Sequence, residues 1–118
     1  MSRCVNSITL IGNVGNDPEM RATTAGVRVG KFSLATSWKY KGNERTDWHR
    51  ITCFGHTADF VEQFIHKGDR LYIRGRVEYN TTEDADGNKK FWTDVIADEV
   101  VSLTDRGQKV GAEEQVPF

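Results

Sequence analysis

Polar and apolar residues alternate through residues 5–13, around Val5, Ile8 and Leu10, until Gly12-Asn13 and the turn-rich Gly15-Asn16-Asp17-Pro18. Alternation of period two marks a strand with one face in a core and one in water. The pattern returns over 27–38, with Val27, Val29, Phe32 and Leu34, and closes at Trp38. Lys41-Gly42-Asn43-Glu44 reads as a loop tip. Residues 47–54 predict a third strand, with Trp48, Arg50, Thr52 and Phe54 on one face and His49, Ile51 and Cys53 on the other. The period then changes. Thr57 is a candidate N-cap, and Phe60, Val61, Phe64 and Ile65 follow at helical spacing. Lys67 falls in the last turn of that helix and Gly68 at its C′ position. A fourth strand is predicted over 70–79, through Leu71, Ile73 and Val77. Asp84-Ala85-Asp86-Gly87-Asn88 reads as a hairpin turn, and a fifth strand runs from about 90 to 103.

The order β-β-β-α-β-β is that of an OB-fold, a five-stranded Greek-key barrel with a helix between the third and fourth strands. The pattern ends near residue 104. A domain over 1–104 and a flexible, polar tail over 105–118 are therefore expected. The 118 residues suit one domain. No stretch nears the ~20 apolar residues of a membrane span, and the run Ile8, Leu10, Ile11 is too short for a signal peptide. The expectation is a cytoplasmic protein with no membrane association. Cys4 and Cys53, far apart in sequence, are then two reduced thiols.

The net charge of −1 excludes a strongly basic domain, but the charge is segregated. Residues 28–50 carry six basic side chains against two acids, and residues 67–76 carry four against one. Residues 78–99 carry seven acids against Lys89 and Lys90. A basic face on a neutral domain is compatible with that distribution. Aromatics are interleaved with these cations: Trp38-Lys39-Tyr40-Lys41, then Trp48 with Arg50 and Phe54, then Trp92 beside Phe91. Rings that stack bases beside cations that meet phosphates are how single-stranded nucleic acid is held. Each stacked base contributes ~1–3 kcal/mol with little sequence discrimination, because every base has a π-face. The competing reading is that these rings are core, which an arginine on the same face argues against.

Other chemistries find little support. His49, Cys53 and His56 have spacings loosely like zinc ligands, but His49 and Cys53 lie two pleats apart and a second close pair is missing. The loop beginning Asp84-Ala85-Asp86-Gly87 places its glycine too early for a calcium loop and has no glutamate at its twelfth position. There is no P-loop, Gly-x-Ser-x-Gly or His-Glu-x-x-His motif. No metal, no cofactor and no catalytic activity are expected. The last residues, Glu113-Glu114-Gln115-Val116-Pro117-Phe118, form a compact peptide with two acids and a terminal aromatic anchor. A partner could clamp such a tip with an apolar pocket and an arginine; a frayed end without a role is the plainer reading.

At this point the chain resembles bacterial-type single-stranded-DNA-binding proteins. The resemblance rests on Val5-Asn6 through Asp17-Pro18-Glu19, Phe32-Ser33-Leu34-Ala35-Thr36, and Asp47-Trp48-His49-Arg50 through Phe54-Gly55. Lys67-Gly68-Asp69, Leu71-Tyr72-Ile73-Arg74-Gly75 and the terminal Pro117-Phe118 extend it over nearly the whole chain. It implies sequence-independent binding of single-stranded DNA in replication, recombination and repair. Trp38, Trp48 and Phe54 match stacking aromatics. His49 matches a subunit-interface histidine, and Cys4 and Asn6 are placed at that interface with it. The family is usually a homotetramer whose tip, here Glu113, Glu114, Val116, Pro117 and Phe118, recruits replication and repair proteins. Lys31, Lys39, Arg50, Arg74 and Arg76 are the candidate phosphate contacts. A family tryptophan aligns with Thr82, for which Tyr79 or Trp92 is the candidate replacement. The linker before the tip and the acids within it are both fewer than usual. The alternatives are an OB-fold adaptor of a replication or restart complex that binds mainly protein, and an RNA-binding OB module.

Overall fold

In a computed structural model the described residues are 3–104. The expected tail and the tip residues Glu113, Glu114, Val116, Pro117 and Phe118 lie outside them. The elements are β1 (Ile8–Val14), β2 (Glu19–Ala22), β3 (Arg28–Tyr40), β4 (Asn43–Phe54), α1 (His56–Phe64), β5 (Arg70–Glu83) and β6 (Lys89–Ser102). The strands lie side by side in the order β1-β5-β6-β4-β3-β2. A further pairing of β1 with β3, through Asn13 opposite Ala35 and Val14 opposite Leu34, closes five of them into a barrel. The helix falls between the third and fourth barrel strands, as the OB-fold requires.

The sixth strand, β2, was not foreseen. Its sequence, Glu-Met-Arg-Ala, is short and half polar, with no β-branched residue. Tertiary context makes it a strand: it adds to the edge of β3, and Met20 packs against the core over Gly30. At the start of the chain the expected strand is shorter. Val5 is exposed and β1 begins at Ile8.

The β3–β4 pairing extends to Tyr40 opposite Asn43, so the turn is the two residues Lys41-Gly42. Both have positive φ, 50° and 82°, which matches a primed hairpin turn that continues the ribbon's right-handed twist. The strands therefore run past the barrel as an arm, where the alternation of hydrophobicity had been too weak to mark them. The β5–β6 ribbon does the same, out to Glu83 opposite Lys89. Its turn is organised by Asp84, whose carboxylate accepts the N–H groups of Asp86 and Asn88 at 2.9 Å. Those bonds, Asn88 first, hold the Asp84 carboxyl below its ordinary pKa.

The helix starts at Gly55, with φ 60°, and not at Thr57, which lies inside the first turn. It ends at Ile65, so Lys67 falls beyond the last turn. Gly68, with φ 92°, makes the turn into β5, donating its N–H to the carbonyl of Val14 at 2.8 Å. Ala58, Val61 and Ile65 are buried and Phe64 is half exposed, so the helix presents a narrower face than its apolar spacing suggested. That face meets Phe32, Leu34, Ile51, Cys53, Leu71, Ile73 and Val95 from the strands. Cys53 is buried among them, and burial pushes its thiol up to about 12. The thiol packs there as a neutral small hydrophobe.

Two glycines permit barrel closure. A Cβ on Gly12 would stand 2.2 Å from the carbonyl oxygen of Ala35, and one on Gly75 would stand 1.9 Å from that of Ile96. Gly75 lies at the irregularity where the β5–β6 register shifts. Backbone cannot yield there as a side chain could. Gly75→Ala should destabilise the fold by about 3 kcal/mol, the upper range for overpacking, measured as a lowered urea midpoint. An unchanged midpoint would show that the strands do not approach so closely.

Candidate nucleic-acid interface

Since one face of each barrel strand fills the core, residues of the opposite parity form an outer sheet across β3, β4, β6 and β5. Register makes its rows explicit. Lys31 on β3 lies beside Thr52 on β4, Ile96 on β6 and Arg76 on β5. In the next row Ser33, Arg50, Asp94 and Glu78 follow one another. Lys31 and Arg76 thus stand three strand spacings apart, about 14 Å of sheet. Trp48 and Phe54, six residues apart on β4, stand about 20 Å apart along the same face.

Trp48 is 62% exposed and Phe54 44% exposed, although both sit on barrel strands where a ring would ordinarily be packed. Trp48 rests edge-on against the turn after β1: a Cβ on Gly15 would lie 2.3 Å from its ring. Asn16 fixes that turn by accepting the N–H of Ser33 at 2.9 Å and its hydroxyl at 2.5 Å. Between the two aromatics runs a shallow groove of about 250 Å³, lined by Asn16, Glu19, Lys31, Ser33, Arg50 and Thr52 among others.

Arg50 is not the free cation that the sequence suggested. Its Nε lies 3.0 Å from Asp94 Oδ1, and its guanidinium lies over the Trp92 ring, 4.2 Å from the centroid. Asp94 is buried, its side chain 11% exposed. Its Oδ2 accepts a 2.7 Å hydrogen bond from Asn80 Nδ2, whereas the short contact of Oδ1 with Arg50 is off the hydrogen-bond line. The other two candidate arginines are also paired: Arg74 Nε with Glu99 at 3.3 Å, and Arg76 with Glu78 at 3.7 Å. Both of those pairs are exposed and worth little, about 0–1 kcal/mol, so an incoming anion displaces them readily. Lys31 and Lys39 are exposed and make no ion pair among the described residues.

The structure does not bring every aromatic to this face. Trp38 pairs with Arg45, so it lies on the opposite side of the β3–β4 ribbon from Trp48, out on the arm. There it is 51% exposed, 6.4 Å from the Tyr40 ring, with Lys41 Nζ 5.5 Å from that ring's centroid. Tyr79 pairs with Thr93 on the side of the β5–β6 ribbon that continues the barrel interior, and it is 79% exposed. Trp92 shares the outer side with residue 82, and its indole N–H donates to Thr82 Oγ1 at 2.9 Å. Of the two candidate replacements for an aromatic at Thr82, Trp92 is the one in position.

His49 lies on the opposite face from Trp48, half-buried, its Nε2 2.9 Å from Thr36 Oγ1. Asn6 spends its side chain within the chain, donating to the Val77 carbonyl at 2.7 Å and accepting the Val77 N–H at 2.9 Å. Cys4 is exposed. Among the described residues no three His, Cys, Asp or Glu side chains, His49, Cys53 and His56 included, come together as a set that could hold a metal ion. No helix of the described residues is long and apolar enough to cross a membrane. The sequence alone did not single out Asp94, Asn80 or Gly15. Their partners come from a parallel β4–β6 register and a loop contact, neither of which leaves a local signal.

Residues 5–103 match the model of the single-strand binding protein family. A single-stranded DNA-binding protein of Xanthomonas campestris is 38% identical over 113 residues, 92% of this chain and 66% of that protein. Single-stranded DNA-binding protein 1 of Chlorobaculum tepidum is 42% identical over 109 residues, 87% of this chain and 67% of that protein. The chain thus spans about two thirds of the length of these curated relatives. Among solved structures, an SSB of Plasmodium falciparum in complex with ssDNA superposes with a TM-score of 0.80 at 28% identity, covering 88% of this chain and 99% of that one. The chain belongs to the single-strand binding protein family.

Proposed function

We propose that this protein binds single-stranded DNA without sequence preference, by stacking bases on the outer sheet and meeting phosphates with its lysines and arginines. The observation that carries this reading is the pair of exposed rings, Trp48 and Phe54, on a barrel face that also holds a groove and unpaired Lys31. The related Plasmodium falciparum structure holds ssDNA, which supports the same ligand here. The adaptor reading leaves two large rings exposed on that face without a use. The activity is binding, not catalysis, and serves replication, recombination and repair as the resemblance implies.

The same reading extends to assembly. His49 lies on the opposite face from Trp48 and Cys4 is exposed, and both suit contact with further copies of the chain in a homotetramer, whereas Asn6 acts there through the strand position it fixes at Val77. The tip residues Glu113, Glu114, Val116, Pro117 and Phe118 serve as the docking peptide for replication and repair proteins. Sedimentation equilibrium should give four times the chain mass of 13.4 kDa. Deleting Pro117-Phe118 should leave oligo-dT affinity unchanged while abolishing capture of such partners. A monomer, or capture that survives the deletion, would refute the respective part.

Two substitutions test the binding face directly. Trp48→Ala should weaken binding of a labelled oligo-dT by about 1–3 kcal/mol in an anisotropy titration, as loss of a stacked base does. Unchanged affinity would remove Trp48 from the site. Lys31→Ala should lower affinity uniformly across sequences and flatten the dependence of log K on log salt by about 0.7, the release expected from one phosphate contact on a single strand. An unaltered slope would mean that Lys31 meets no phosphate.

A further inference from the structure

We infer that Asp94 is a positioning residue that holds the Arg50 guanidinium over the Trp92 ring, so that Arg50 serves as a stacking platform for a base and not as a phosphate ligand. This deepens the single-stranded-DNA reading above and rests on it. Four observations carry it. Arg50 and Asp94 occupy opposing positions of the parallel β4–β6 register, so the pair is set by backbone and not by chance side-chain reach. Asp94 is itself held, by Asn80, and is nearly buried, so its charge has nowhere else to go. The guanidinium lies 4.2 Å from the centre of the Trp92 ring, at stacking distance. Trp92 is tied in turn by its indole N–H to Thr82.

The consequence follows from what each group has left to offer. The Trp92 face toward Arg50 is covered and cannot take a base. Arg50 has its Nε edge engaged by the carboxylate, yet its side chain is 44% exposed. Arg50 lies on the same sheet face as Trp48 and lines the groove with Lys31, Ser33 and Thr52. A planar cation stacks on the π-face of a base much as it does on indole. With a carboxylate at 3.0 Å it is a poor ligand for a second anion, because a phosphate there would sit close to Asp94. Lysine cannot replace it: an ammonium carries the charge but has no plane.

The test compares two ligands of equal length and charge, oligo-dT and an abasic oligomer with the same sugar–phosphate backbone, against the full chain. Arg50→Lys should lower oligo-dT affinity by roughly fivefold, the loss of one stacked base at the low end of its range. It should leave the abasic affinity and both salt slopes unchanged. Asp94→Asn, nearly isosteric, should also weaken oligo-dT and spare the abasic ligand. If Arg50→Lys weakens both ligands alike, or neither, the platform is refuted. If Asp94→Asn tightens both, Arg50 is a phosphate ligand that the carboxylate had been masking, and the proposal falls. Circular dichroism reports whether Asp94→Asn folds. Should it not, Arg50→Lys and Thr82→Val decide, the latter being expected to weaken oligo-dT alone by freeing the Trp92 ring. Failure of the wild-type chain to bind either ligand would overturn the underlying function instead, and is distinguishable from all of these.

Discussion

Closing five strands into a barrel consumes one face of every strand. The side chains of Leu34, Ile51, Leu71, Ile73 and Val95 must turn inward together, and α1 covers the open end with Ala58, Val61 and Ile65. Their strand neighbours have no choice of direction: residues of the other parity face out, whatever their chemistry. Trp48 and Phe54 are therefore displayed because Ile51 and Cys53 are buried, and Arg50 stands between them for the same reason. A one-residue slip of β4 would bury the tryptophan and the arginine and expose the core at once. The exposed aromatic face and the hydrophobic core are two sides of the same register.

That coupling explains why glycine appears where strands approach most closely. The backbones meet at Gly12 and Gly75, where a methyl group would run into a carbonyl oxygen. Closure through the β1–β3 pairs brings the turn at Gly15-Asn16 over β3 and β4, where it seats the Trp48 ring and frames the groove. Thus the contact that shuts the barrel also fixes the ring that faces solvent. Beyond the barrel the two long ribbons, β3–β4 and β5–β6, no longer have a core to cover. Their inward sides carry Trp38 and Tyr79 into solvent.

Much of this was legible in the sequence because the signals are local. Alternation in residues 47–54 assigned Trp48, Arg50 and Phe54 to one face and His49 to the other, and the structure has that arrangement. The element order alone gave the barrel. What could not be read was set at a distance. The strand Glu19–Ala22 exists because an edge of β3 accepts it, not because Glu-Met-Arg-Ala prefers to be extended. The helix begins on Gly55, whose backbone conformation overrides the better capping side chain of Thr57. The pairing of Arg50 with Asp94, 44 residues apart, depends on a parallel register that follows from the crossover through α1 and β5. That Trp38 and Trp48 face apart becomes explicit in the β3–β4 register, where Trp38 meets Arg45 and Trp48 meets Ala35.

The function proposed above requires that the outer barrel face stack the bases of single-stranded DNA. Intrinsic tryptophan fluorescence, followed during titration with oligo-dT and with a duplex of equal length, tests it most directly. Of the three tryptophans, Trp48 lies exposed on that face and Trp92 beneath Arg50. Stacking predicts strong quenching by the single strand, saturable and weakened by salt, with no quenching by the duplex, whose bases are already stacked on one another. Equal quenching by both, or none by a saturating single strand, would contradict it.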